Sequence, residues 1–151
     1  MQKDIFYTEL NKGLSELSFC VGMEQKEQLY DYYRMVVEKN KVMNLTGITE
    51  EREFVIKHII DSLSIVKCGK PVTDMLMGVD KEGRPASFSL IDIGTGAGMP
   101  GVILKIAFPE LSVVLFDSLK KRLNFLDEVI AELSLNNIVT LHGRAEDMGQ
   151  D

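Results

Sequence analysis

Leu90-Ile91-Asp92-Ile93-Gly94-Thr95-Gly96-Ala97-Gly98-Met99-Pro100-Gly101 decides how the rest of the chain is read. The apolar run from Phe88 to Ile93 ends in four glycines within eight residues, and Val102-Ile103-Leu104-Lys105-Ile106-Ala107-Phe108 follows at once. The pattern predicts a strand, a tight glycine turn and a helix. Such a turn brings backbone close to a ligand, with helix N–H groups offered to a polar or anionic group. A second apolar run, Leu111 to Phe116, ends in Asp117, 23 residues after Gly94. A carboxylate at the end of a second strand is placed to hold ribose hydroxyls. Glycine turn and strand-end acid together point to a cofactor that contains adenosine.

Two cofactors compete for this fingerprint. Gly96-Ala97-Gly98-Met99-Pro100-Gly101 fits the G-x-G-x-x-G of dinucleotide sites, whereas Asp92-x-Gly94-x-Gly96-x-Gly98 fits the acidic-x-G-x-G-x-G of S-adenosylmethionine sites. Asp92 favours the second, because an acid at this turn repels a pyrophosphate and attracts an ammonium or a sulfonium. A turn that merely closes a βα unit is the structural alternative.

Working outward from the turn, residues 88–151 alternate as βαβαβ: strands at 88–93, 111–116 and 138–141, with helices at about 99–108 and 119–135. Asn136-Asn137 ends the second helix. His142-Gly143-Arg144-Ala145-Glu146 turns over the end of the third strand. This is the first half of a doubly wound sheet, whose ligand crevice forms where a fourth strand would lie beside the first. Strand one is then an open edge of apolar, central type, so the chain reads as a fragment prone to edge-to-edge self-association.

Residues 1–70 read as a helical region. Phe6, Leu10, Leu14 and Leu17 recur at helical spacing, Gly22 breaks the pattern, and a longer helix spans about 24–40 with Leu29, Tyr32, Tyr33, Val36 and Val37 on one face. Thr49 is placed to cap a third helix carrying Phe54, Ile56, Ile59, Ile60, Leu63, Ile65 and Val66, with a bend near Asp61-Ser62. Residues 71–87 read as a variable connection with a short helical turn around Met75.

The 151 residues are 45% hydrophobic and 26% charged, with a net charge of -6, enough for one core and unsuited to a general nucleic-acid coat. RNA contact would come from local cations: Lys39, Lys41, Lys57, Lys67, Lys70 or Lys120-Lys121-Arg122. Cys20 and Cys68 lack metal-ligand spacing to His58 or His142 and read as reduced, partly buried thiols of a cytoplasmic protein. No metal site is expected. No apolar run reaches membrane-spanning length.

Several segments in this order resemble one family, the ribosomal RNA small-subunit methyltransferase G family, also called glucose-inhibited division protein B. They are Asn40-Lys41-Val42-Met43-Asn44-Leu45-Thr46, His58-Ile59-Ile60-Asp61-Ser62-Leu63, the glycine turn, Asp117-Ser118-Leu119-Lys120-Lys121-Arg122 and Gly143-Arg144-Ala145-Glu146. The likeness covers nearly all of the chain after Tyr30. It implies a class I methyltransferase (Rossmann-like) sheet, S-adenosyl-L-methionine as cofactor, and methylation of one guanine N7 in 16S ribosomal RNA of the small subunit. By the resemblance Gly94, Gly96, Gly98 and Met99 lie at the cofactor, Asp117 holds its ribose, and Ala145 and Glu146 sit against the adenine. The family often has Trp where Lys39 stands, its connection at 71–87 is shorter, and it continues through further strands with a Ser-Arg-Ala segment whose arginine lies at the cofactor. This chain taken alone is therefore expected to be inactive. Guanine N7 carries a free lone pair, so no general base is nominated, and His58 and Asp61 are read as packing or hydrogen-bonding locally. A methyltransferase with another substrate, a nicotinamide-dependent oxidoreductase and a cofactor-binding module without transfer remain open.

Overall fold

The computed structural model describes residues 2–148; the outer limits of the expected regions, residues 1 and 149–151, lie outside the described residues. α1 (Gln2–Glu16) buries Phe6, Leu10 and Leu14. α2 (Met23–Asn40) starts at Gly22, whose N–H donates to Gln25 Oε1 at 2.6 Å, and buries Leu29, Tyr32, Tyr33 and Val36. A continuous helical rod over 51–68 follows. It changes winding along its length: α3 (Glu51–Phe54), a π-helical stretch (Val55–Ile60), α4 (Asp61–Leu63) and a 3-10 tail (Ser64–Cys68).

This rod corrects several expectations. Glu50, not Thr49, caps it, because the Glu50 carboxylate reaches Arg52 N–H at 3.1 Å and Glu53 N–H at 2.8 Å, while the Thr49 carbonyl accepts the Tyr33 hydroxyl at 2.8 Å. The irregularity lies at 55–60 rather than beginning at Asp61-Ser62. The wider π winding turns Val55 into the core and Ile56 out to solvent, the reverse of the regular helical reading. The turn expected around Met75 is a full helix, α5 (Lys70–Met77), started by Pro71 in its first turn and stopped by Gly78 in a left-handed conformation (φ +77°). Cys20, in the linker between α1 and α2, and Cys68, the last residue of the rod, are exposed rather than partly buried.

The second half of the chain is the expected βαβαβ. β1 (Ser89–Ile93), α6 (Gly101–Ala107), β2 (Ser112–Asp117), α7 (Lys120–Glu132) and β3 (Ile138–His142) build a parallel sheet of order β1-β2-β3, closed by a short α8 (Ala145–Met148). The register pairs Asp92 with Leu115 and Val114 with Val139. β1 is an edge of the described sheet, as its place in half of a doubly wound fold requires. α6 and α7 pack on the same face, over Val113, Leu115 and Ile138.

α2 braces this layer from outside. Gln25 Nε2 donates to the Ile106 and Ala107 carbonyls at 3.0 and 3.1 Å, and Gln28 Nε2 to the Leu133 carbonyl at 3.0 Å. These are carbonyls at the C-terminal ends of α6 and α7, which have no partners within their own helices. One helix of the N-terminal region thereby fixes the two helices that carry the glycine turn and the strand-end acid. Lys105 is buried in α6 with its ammonium on the Pro109 and Leu111 carbonyls, both at 2.6 Å. Burial lowers its pKa from the ordinary lysine range.

Candidate functional site

The C-terminal ends of β1, β2 and β3 bring together the turn 94–101, Asp117 and the start of α8, the edge at which open α/β sheets bind ligands. The turn is tied down from below. Gly94 and Thr95 N–H both donate to the Phe116 carbonyl, at 2.8 and 3.1 Å. Tyr32, fully buried in α2, donates its hydroxyl to the Ala97 carbonyl at 2.7 Å. Burial raises the Tyr32 pKa, so the hydroxyl stays protonated and able to donate.

The four glycines of the turn are not equivalent. Gly94 (φ +72°) and Gly96 (φ +58°) face open space: a Cβ on either would meet nothing within 4 Å. Gly98 is required by packing, since a Cβ there would lie 2.7 Å from Val102 Cγ2 and 2.8 Å from Leu126 Cδ2. At Gly101 the same atom would run into Leu115 and Asp92. Two glycines thus leave a cradle outside the turn, and two let α6 sit tightly on the sheet.

Asp92 is buried, and one carboxylate oxygen, Oδ2, accepts from Thr95 Oγ1 and from Gly101 N–H, each at 2.8 Å. Burial raises its pKa, with Asp117 adding to the effect, while these two hydrogen bonds pull it down. The acid therefore occupies the position at the start of α6 where an anionic ligand would otherwise be received.

Asp117 is 2% exposed. Its Oδ2 accepts from Gly96 N–H and its Oδ1 from Leu119 N–H, both at 2.9 Å, and Arg122 approaches Oδ1 at 3.6 Å. It both fixes the turn that leads into α7, through Leu119 N–H, and clamps the glycine turn. Each of its oxygens keeps a second lone pair. Ala145 and Glu146, at the start of α8, are exposed beside this edge. Lys120 and Lys121 are also exposed, and Lys39 bridges α2 to α7 through Glu128 at 3.5 Å.

Met99 lines a separate cleft with residues of the helical rod. With Pro100 and Leu104 it forms one wall of this cleft of about 360 Å³, whose other wall is the rod, including Lys57, His58 and Asp61. His58 is held from outside. Asn40 Oδ1 accepts from Leu45 and Thr46 N–H at 2.8 and 3.0 Å, folding the loop so that Thr46 Oγ1 meets His58 Nε2 at 2.9 Å. The segment from Asn40 to Thr46 thus serves His58, and His58 lines the cleft as well as packing locally. The sequence reading places Tyr32 only on the apolar face of its helix and does not name Gln25; as members of an apolar stripe and a polar face they carry no local signal of their distant partners.

Among the described residues, no group of three or more His, Cys, Asp or Glu is placed to hold a metal ion, and no helix is long and apolar enough to cross a membrane. A family model described as rRNA small subunit methyltransferase G (GidB) matches residues 25–151. The chain is 47% identical over 142 residues to the ribosomal RNA small subunit methyltransferase G of Thermoanaerobacter sp. (strain X514), covering 94% of this chain and 54% of that protein. The protein of the same name from Lachnoclostridium phytofermentans is 45% identical over 139 residues (92% and 52% covered), and that of Leuconostoc citreum 41% over 139 residues (92% and 54%). The chain spans about half the length of the curated relatives it matches. With its glycine turn, its strand-end acid and these matches in one frame, the chain belongs to the rRNA small subunit methyltransferase G (GidB) family.

Proposed function

We propose that the sheet edge binds S-adenosyl-L-methionine and that the longer protein of which this chain is a part methylates guanine N7 in 16S ribosomal RNA, in the cytoplasm. The observation that carries the reading is the cradle at Gly94 and Gly96, where any side chain would fill the space left open at the end of β1. The residues fit the cofactor. Gly94 and Gly96 admit it to the backbone; Gly98 holds the turn in shape; Met99 lies at its reactive end. Asp117 accepts ribose hydroxyls on its remaining lone pairs, and Ala145 and Glu146 border the adenine. Asp92 supports this cofactor over a dinucleotide, because its carboxylate already takes the Gly101 N–H where a pyrophosphate would need that donor.

Bound there, the cofactor supplies an electrophilic methyl group on a cationic sulfur. The chain's own task is to orient and to exclude water. Guanine N7 needs no deprotonation, so no acid–base residue is required. N7 is closed off in the deep groove of RNA helices, so the acceptor is an unpaired guanine.

The curated relatives it matches are nearly twice as long, and among the described residues helices cover one face of the sheet, so we infer that the chain by itself does not transfer a methyl group. The assay is labelled-methyl transfer to 30S subunits and to naked 16S RNA, comparing this chain with a lengthened one. Transfer by the longer chain alone is expected. Failure of the longer chain on both substrates, with cofactor bound, would point to a different acceptor.

A further inference from the structure

The cleft between the helical rod and the glycine turn has walls of opposite character. One wall carries Asp61, Lys57 and Ser62; the other is apolar, formed by Met99, Pro100 and Leu104. Its volume, about 360 Å³, is ample for a purine nucleoside. The rod is π-wound just before Asp61, over Val55–Ile60, a distortion that recurs at functional sites. The main-chain carbonyl of Asp61 accepts the Ser64 hydroxyl, whereas its carboxylate is exposed and enters neither a hydrogen bond nor an ion pair among the described residues. Lys57, one turn earlier, holds only a loose 3.7 Å pair with Glu53.

An exposed carboxylate with free lone pairs and a cation thus line the same cleft as the apolar side chains of Met99, Pro100 and Leu104. Guanine is the base that fits. Its N1–H and exocyclic N2–H₂ are adjacent donors that one carboxylate can accept together, whereas adenine offers an acceptor at N1. Its N7 lies on the opposite edge of the ring. Held by Asp61, the ring spans the cleft and turns N7 toward the Met99 wall, the side on which the glycine turn lies. The Met99 thioether suits the edge or face of a base, and Lys57 is placed for a backbone phosphate.

We propose that this cleft seats the guanine that is to be methylated, with the Asp61 carboxylate reading its N1–H and N2–H₂ edge and Lys57 meeting its phosphate. The assignment rests on the reading that the site methylates guanine N7. His58, fixed by Thr46, is a positioning residue that shapes the wall beside Asp61.

The test uses the isotopically labelled chain with guanosine 5′-monophosphate as probe and adenosine 5′-monophosphate as control. The guanine nucleotide is expected to bind with a dissociation constant of about 1 mM, the range of a single mononucleotide contact. It should shift amide signals within 57–64 and 99–104, and the adenine nucleotide should bind about tenfold more weakly, the discrimination one bidentate base contact gives. Asp61→Asn should remove the preference and leave the melting temperature unchanged. Equal binding of the two nucleotides, shifts confined to other residues, unaltered preference in Asp61→Asn, or no binding by the folded chain would each overturn the assignment. S-adenosylmethionine added to the same samples separates the two levels. Shifts at 94–98 and 117 that survive in Asp61→Asn leave the cofactor reading standing even if the guanine site falls; displacement of the guanine nucleotide from the cleft by the cofactor would hand the cleft to the cofactor and sink the proposal.

Discussion

On one face of the sheet Val113, Leu115 and Ile138 lie under α6 and α7 and are at most 5% exposed; on the other, Ile91, Ile93, Val139 and Leu141 stand 49%, 53%, 58% and 49% exposed. The strands are apolar toward both faces. That composition belongs to parallel sheets covered on two sides. The described residues provide one layer of helices, and the glycine turn is anchored between that layer and the end of β2. Asp92 points into it, Gly98 and Gly101 are glycine because of it, and Tyr32 reaches the turn from the brace behind it. The geometry of the turn is therefore set by the covered half of the sheet, while the open half has the character of a surface written for further packing.

The sharpest way to break this comparison is truncation on each face. Leu115→Ala should cost about 2–5 kcal/mol, as for other buried leucines. Ile93→Ala, on the open face, should change stability by no more than about 0.5 kcal/mol in urea melts. Equal costs would mean that the open face is covered in solution, and sedimentation of Ile93→Lys with Val139→Lys against the parent would show whether a second copy covers it. Loss of a self-associated species in the double variant is the expected outcome.

Within the turn, Gly101→Ala should destabilise by about 1–3 kcal/mol through overpacking against Leu115 and Asp92. Gly96→Ala meets no atom and should lose only the left-handed backbone preference, about 1 kcal/mol. Reversed magnitudes would mean that the cradle is on the wrong side of the turn. Tyr32→Phe should cost about 1 kcal/mol by leaving the Ala97 carbonyl without its donor, measured as a shift in denaturation midpoint.

The smallest effect concerns pH. Burial lowers the His58 pKa from its ordinary value, against the opposing pull of Asp61; the Phe54 ring and the Thr46 hydroxyl are its other close neighbours. The unfolded chain then takes up its proton first. The His58 contribution is present above about pH 6.5 and is lost as pH falls through the depressed folded value. His58→Gln should flatten the fall in melting temperature between neutral pH and about pH 5; an unchanged slope would place the titration elsewhere.

How much of this was legible depends on the range of the interactions. The strands, their helices and the glycine turn are short-range patterns, and the structure reproduces them within a few residues. The rod at 51–68 kept its helical character but not its winding, because the choice of Val55 over Ile56 as the inward residue is made by packing against α1. Pro71 and Gly78 delimit α5, but the short stretch between them suggests only a helical turn around Met75 within a variable connection, not the full helix. Of the site, Gly94 and Gly96 lie on the open side of the turn and Asp117 beside them, as the motif spacing suggests. The role of Gly98 in packing, the dual duty of Asp117 and the Tyr32 anchor 65 residues from Ala97 depend on tertiary contacts that leave no mark in a local pattern.

The most direct test of the account is calorimetric titration of this chain with S-adenosylmethionine and, separately, with a nicotinamide dinucleotide, repeated on Gly96→Val. Binding of S-adenosylmethionine alone, abolished in a Gly96→Val chain that keeps its helical signature, is the predicted result. Binding of the dinucleotide alone, or undiminished binding of S-adenosylmethionine by Gly96→Val, would contradict the claim that the open glycine cradle at the end of β1 is a methyl-donor site.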